Sequence, residues 1–183
     1  MAGLKFRVLL DSDKKQEVFR DIFIDASASF EEFYQTILKS FEFTGREMAS
    51  FYVSNGDWDK GHEISWMDMS YDDQDKPEDL PSIMSKAKMS EFIEETDQKF
   101  ILLYDFLRMW IFLIELVGYE KEGPAEPQIL LSIGDSPAED SKAISEEIFD
   151  GDDLEDDEDD YGFNNPEDGF DEEDYGGYEE FEY

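Results

Sequence analysis

The chain contains no cysteine. That absence excludes disulfides, thiolate zinc sites and cysteine nucleophiles together. Histidine is nearly absent too, with His62 alone. A general base or metal ligand there needs partners within reach. Asp57, Asp59 and Glu63 are its acidic sequence neighbours, but a lone surface histidine is the plainer reading. Basic residues are scarce: 15 Lys and Arg stand against 50 Asp and Glu, for a net charge of −35. Phosphate-backbone binding needs clustered Lys and Arg, so direct nucleic-acid binding is not expected. An anionic membrane surface is disfavoured for the same reason. A partner steered by charge should itself be basic.

Long hydrophobic runs are also missing. The greasiest stretch, ILLYDFLRMWIFLIEL at 101–116, contains Asp105, Arg108 and Glu115. A membrane-spanning helix needs about 20 apolar residues, and a charge at the bilayer centre costs on the order of 3 kcal/mol. No span is expected. The start, MAGLKFRVLLDSDKK, has no adequate apolar h-region or small-residue cleavage site, which points to the cytoplasm. There is no Gly-rich phosphate loop, no Gly-x-Ser-x-Gly elbow and no His-Glu-x-x-His pair. The run from Asp150 to Glu155 begins like a calcium loop, but Leu154 fills the fifth position and the sixth lacks glycine. No metal and no cofactor are expected.

What is present is enough to build a core: 40% hydrophobic and 15% aromatic residues. Leu4, Phe6, Val8 and Leu10 recur with period two, the mark of a half-buried strand. DSDKKQ makes a turn, and Val18–Ile24 reads as the hairpin partner. Phe30, Phe33, Tyr34, Ile37, Leu38 and Phe41 then form one helical stripe. Ser29 and Glu32 make a capping box at its start, and Gly45 marks its stop. Residues 49–54 read as a strand running into Asn55-Gly56, the signal of a tight two-residue hairpin. The return strand would hold His62, Ile64 and Trp66. Residues 68–88, with Pro77 and Pro81, predict a long surface loop with a short helical piece, and 90–95 one or two short helical turns. The 101–116 stretch resolves into two adjacent strands around a turn at 105–108. Gln128–Ile133 is a last apolar strand. The expected fold is α+β: a bent antiparallel sheet, one main amphipathic helix and short accessory helices.

Composition changes abruptly at residue 146. Residues 146–183 hold 20 of the acidic residues and none of the basic ones, leaving −15 for residues 1–145 (−35 less −20). Like-charge blocks repel, so 146–183 is predicted to be a disordered acidic tail on a folded body of 1–145. Aromatics recur through it, at Tyr161, Phe163, Phe170, Tyr175, Tyr178, Phe181 and Tyr183. Acidic spacing keeps them solvated and available for a partner.

The stretch Tyr104-Asp105-Phe106-Leu107-Arg108-Met109-Trp110 resembles the Tyr-Asp-Phe-Gly-Asp-x-Trp signature of the plasmid pRiA4b ORF-3-like family, a family often labelled as insertion-element passengers of resolvase type. FEEFYQTILKSFEF, FYVSNGDW and SPAED, at Ser136–Asp140, fall in the family's order, and the likeness covers roughly residues 4–145. The signature's Gly and second Asp are Leu107 and Arg108 here. The Cys-Gly-Gly that often follows Glu-Asp is Ser141-Lys142-Ala143. The resemblance implies an α+β fold with a bent antiparallel sheet and supplies no activity. A serine resolvase needs a nucleophilic Ser among Arg residues and a basic DNA-binding segment, and neither is visible.

The motif residues make Asp105, Arg108, Glu139 and Asp140 the candidate polar site. If the three carboxylates converge, they can share a proton or hold a hard cation. If they do not, Asp105 caps a turn, and Glu139 and Asp140 follow Pro137 in a first helical turn. Arg108 can pair with one of them. The favoured reading is a non-enzymatic binding or adaptor protein whose tail engages a basic protein surface, anchored by Tyr175, Tyr178, Phe181 and Tyr183. A metal- or substrate-binding domain using Asp105, Glu139 and Asp140 is the alternative. A purely structural body with a solubilising tail is another. The sequence sets no oligomeric state.

Overall fold

The computed structural model describes residues 1–13, 15–68 and 80–144. The acidic tail, its four anchor aromatics and the 150–155 run lie outside the described residues. Eight strands form one sheet in the order β5-β4-β3-β6-β7-β1-β2-β8. In chain order they are β1 (Gly3–Leu10), β2 (Val18–Asp25), β3 (Ala49–Ser54), β4 (Glu63–Ser65), β5 (Ser82–Ile83), β6 (Lys99–Tyr104), β7 (Trp110–Glu120) and β8 (Gln128–Ile133). Helix α1 (Phe30–Ser40) follows β2.

The alternation in β1 does what the pattern requires. Leu4, Phe6, Val8 and Leu10 are buried, and β1 pairs antiparallel with both β2 and β7. The 101–116 stretch is indeed two adjacent strands: β6 and β7 pair from Lys99↔Glu115 to Tyr104↔Trp110. The α1 stripe lies on this sheet, with Phe30, Phe33, Tyr34, Ile37, Leu38 and Phe41 all buried. Phe33 sits 4.9 Å from Phe6 and stacks on Phe51, while Phe30 meets Phe51 and Phe100 edge-on. Each fully buried Phe of this kind contributes about 1.5–3 kcal/mol. The capping box forms, since Ser29 Oγ accepts from the Glu32 amide and Glu32 accepts from the Ser29 amide.

Several expectations are corrected. The fold is not α+β with accessory helices and a purely antiparallel sheet. It is mostly β, a mixed sheet in which β4 and β5 run parallel, with α1 as the one α-helix among the described residues. The short helical turn expected at 90–95 is a four-residue 3-10 turn shifted to Met89–Phe92. Only Met89 of that turn is buried, so no apolar stripe exists to hold a longer helix down. Asn55-Gly56 does not make a two-residue hairpin. β3 ends at Ser54 and β4 starts at Glu63, leaving His62 and Trp66 outside the strand. Asn55 Oδ1 accepts from the amides of Asp57 and Asp59 instead, so the side chain builds a wider turn.

The helix stop is not at Gly45 either. Glu42 takes the left-handed conformation (φ 59°) directly after the Phe41 cap. The Phe43 amide donates to Leu38 O and the Glu42 amide to Lys39 O, the bond pair of a Schellman motif. Glycine is the residue suited to that position. One further tie closes this corner. Arg20, buried on the helix side of β2, donates to the carbonyls of Ser40, Phe19, Ile133 and Gly134 and to Ser136 Oγ. Its guanidinium lies 4.7 Å from the centre of the Phe41 ring.

Two outcomes follow for stability measured by chemical denaturation. Glu42→Gly raises it by about 0.5–1 kcal/mol through relief of the left-handed backbone; a loss of stability would contradict the Schellman assignment. Arg20→Met lowers it by roughly 2–4 kcal/mol, because several carbonyls lose a charged donor at once, and it makes residues 134–144 the first protease cleavage region. Unchanged proteolysis there would show that Arg20 does not anchor the segment.

Candidate functional site

The candidate residues sit where the β6–β7 turn meets the chain after β8. Asp105 adopts a left-handed backbone (φ 58°), as does Met109 (φ 56°). That geometry lets five residues, 105–109, reverse the chain between the two core strands. Asp105 is 5% exposed. Its Oδ1 accepts from the amides of Leu107 (3.0 Å) and Arg108 (3.1 Å), and its own amide donates to Met48 O. Arg108 Nε lies 3.6 Å from Asp105 Oδ2, and Arg108 Nη1 donates to Lys142 O at 2.6 Å. Asp105 is therefore a turn cap with a cationic neighbour.

Glu139 occupies the other side of the junction. Its carboxylate accepts from the Tyr104 hydroxyl, from the Thr44 amide (2.8 Å) and from Thr44 Oγ1 (3.0 Å). Its carbonyl accepts from Trp110 Nε1 at 2.9 Å. Burial alone would raise the Glu139 pKa. The hydrogen bonds from Tyr104 and Thr44, helped by the charge of Arg46, outweigh it and hold the carboxyl below its ordinary value. Tyr104 moves the other way, raised by burial and then by its bond to Glu139. Lys142 completes the fastening: Nζ donates to Met109 O at 2.5 Å and lies 5.4 Å from the centre of the Trp110 ring.

The structure thus joins Asp105 to Arg108 and fixes Glu139 nearby through different partners. Asp140 is exposed and does not enter the cluster. Among the described residues no helix follows Pro137, only a turn at 139–140. Among the described residues, no three His, Cys, Asp or Glu side chains are placed to hold a metal ion. A groove of about 310 Å³ borders the cluster, lined by Asp11, Ser12, Asp13, Trp110, Pro137, Ser141 and Lys142. His62 is exposed, bonds Ser82 and stacks on Phe92, away from Asp57, Asp59 and Glu63 as bonding partners. Sequence reasoning missed the roles of Tyr104, Thr44, Trp110 and Lys142. Tyr104 and Trp110 stood in the motif but read as core. Thr44 carries no local signal, being 95 residues from the glutamate it binds.

This architecture is similar to that of a solved structure. The crystal structure of a protein of unknown function, MM3350 from Methanosarcina mazei Go1, superposes with a TM-score of 0.62 over 78% of this chain and 75% of that one, at 16% identity. That likeness speaks to the fold. None of the curated proteins compared matches the chain. A family model described as "Plasmid pRiA4b ORF-3-like protein" matches residues 2–181, further than the residue-by-residue likeness over 4–145 and into the acidic segment. The order of two strands, helix, β6–β7 turn and Glu-Asp segment agrees with that match, and the chain belongs to the plasmid pRiA4b ORF-3-like family.

Proposed function

We propose that this protein is a non-catalytic binding or adaptor protein of the cytoplasm, and that its acidic segment 146–183 takes hold of a basic protein surface. The observation that carries the reading is how the candidate site spends its polar groups. Glu139 is saturated by three donors from the body. Asp105 caps two amides and faces Arg108. Groups committed in this way hold the chain; they are not poised for proton transfer. The metal- or substrate-binding alternative needs Asp105, Glu139 and Asp140 together, and Asp140 stands apart on the surface. What remains unspent is charge, −20 within 146–183, interleaved with aromatic anchors. Charge draws a basic surface in, and the aromatics at Tyr175, Tyr178, Phe181 and Tyr183 give it a grip.

A purely holding role for Glu139 has a pH signature. Because folding lowers its pKa, its stabilisation is complete at neutral pH and drains away as pH falls through the carboxylate range. Glu139→Gln lowers stability at pH 7 by about 1–3 kcal/mol and narrows the gap between pH 7 and pH 3 in denaturation curves. A variant as stable as the parent at pH 7 would free Glu139 for another role. The binding role is tested by affinity capture from cell lysate, comparing the full chain with one ending at Ser145. The full chain retains a basic protein at physiological salt. The shorter chain and the triple variant Tyr178→Ala, Phe181→Ala, Tyr183→Ala lose it. Equal capture by all three would remove the segment from the account.

A further inference from the structure

We infer that β8 is a self-association edge: two copies of this chain pair their β8 strands antiparallel about a twofold axis. Among the described residues, β8 is one edge of the sheet and pairs with β2 alone. All six residues, Gln128–Ile133, are exposed, and none is charged in a chain that is 36% charged. Ile129, Leu130, Leu131 and Ile133 are 42%, 49%, 42% and 38% exposed. Sheet proteins normally guard a long edge with charge or proline within the strand. The opposite edge here is guarded by brevity, since β5 is two residues long. β8 has neither guard. Its one irregularity is a bulge against β2 between Ile129 and Leu131.

The flanking helix indicates who the partner is. A groove of about 330 Å³ beside β8 is lined by Glu32, Gln35, Thr36 and Lys39 from α1, with Glu126, Pro127 and Ile129. The four α1 residues fall at i, i+3, i+4 and i+7, one face of the helix. That face has acid at its N-terminal end, base at its C-terminal end and uncharged polar groups between. A twofold axis normal to the sheet sets two α1 helices antiparallel on the same side of the joined sheet. Glu32 of each copy then faces Lys39 of the other, with Gln35 and Thr36 near the axis. The face is complementary to itself in the orientation that strand pairing demands. An uncharged β8 also offers nothing to select a basic strand, which separates this surface from the one proposed for the basic partner. The pairing is modest in area, near the low end of specific interfaces at roughly 1,200 Å², so the dimer forms at micromolar rather than nanomolar concentration.

The test is sedimentation equilibrium on the full chain at about 0.01 M and 0.15 M salt, where the screening length falls from about 30 Å to about 8 Å. Two highly acidic chains repel through unscreened charge, so the dimer tightens at the higher salt, whereas capture of a basic partner weakens. Leu131→Lys raises the dissociation constant at least tenfold, and Lys39→Glu weakens the dimer as well. Because the chain has no cysteine, Leu130→Cys and Leu131→Cys each supply a unique thiol. Mild oxidation cross-links at least one of them into a dimer, while Val117→Cys, exposed on β7, stays monomeric. The cross-link reads the contact even where a charged variant folds poorly. A monomer at every concentration and both salts would overturn the proposal. So would a dimer indifferent to Leu131→Lys and to Lys39→Glu, or the absence of cross-links at 130 and 131. None of these results bears on capture through 146–183, so the two proposals fail separately.

Discussion

One 11-residue helix has to shield the inner face of an eight-stranded sheet. At 1.5 Å per residue α1 is about 16 Å long, while eight strands at about 4.8 Å spacing span roughly 34 Å. The shortfall is met in two ways. Aromatic side chains enlarge the covered area in two ring groups: Phe30 and Phe33 meet Phe51 and Phe100, and Tyr34, Phe41, Phe43 and Trp66 join Tyr104 and Phe112. Irregular chain covers the rest. The 41–48 segment and the 135–144 segment close one end of the core, and neither has regular structure to hold it there. The Glu139 fastening and the Arg20 ties exist because those covers need fixing.

The same shortage explains how the few cations are used. Arg20 meets carbonyl oxygens rather than a carboxylate. Burial pushes its pKa down, and Glu42 and Asp135 only partly offset this. Carbonyl acceptors at the end of α1 and of β8 satisfy the fork without the cost of desolvating a second charge. Arg108 and Lys142 likewise bond to carbonyls across the junction. Cations that serve the fold this way leave the acidic surplus uncancelled.

The parts legible in the sequence were those whose signal is periodic and local. β1, β2, α1 and the β6–β7 pair each carry enough apolar repeats to fix type and face. Failures came where one residue type has several uses. Asn55-Gly56 matched a tight hairpin, yet the Asn side chain capped a longer turn. Gly45 looked like the helix stop, yet Glu42, a non-glycine residue three positions earlier, took the left-handed position. The mostly-β fold class was not legible because β5 is too short to show alternation and Met89–Phe92 too short to be an α-helix. The Glu139 fastening was invisible because its partners lie 35 and 95 residues away, and spacing says nothing about contacts made only by folding.

The departures from the family signature bear on function through the same junction. Where the resembling motif has Gly-Asp, this chain has Leu107-Arg108. An acid at 108 would set a second carboxylate beside Asp105, the kind of pair that shares a proton or attracts a cation. Arg108 instead places a guanidinium 3.6 Å from Asp105 and reaches on to Lys142 O. The substitution turns a potential carboxylate pair into a neutralised corner and adds a tether for the chain beyond Glu139. The Lys at 142, where Gly is usual in the motif, supplies the return bond to Met109 O. Two departures that look unrelated in sequence thus act on one joint, trading a carboxylate pair for a firmer hold on the chain beyond Glu139.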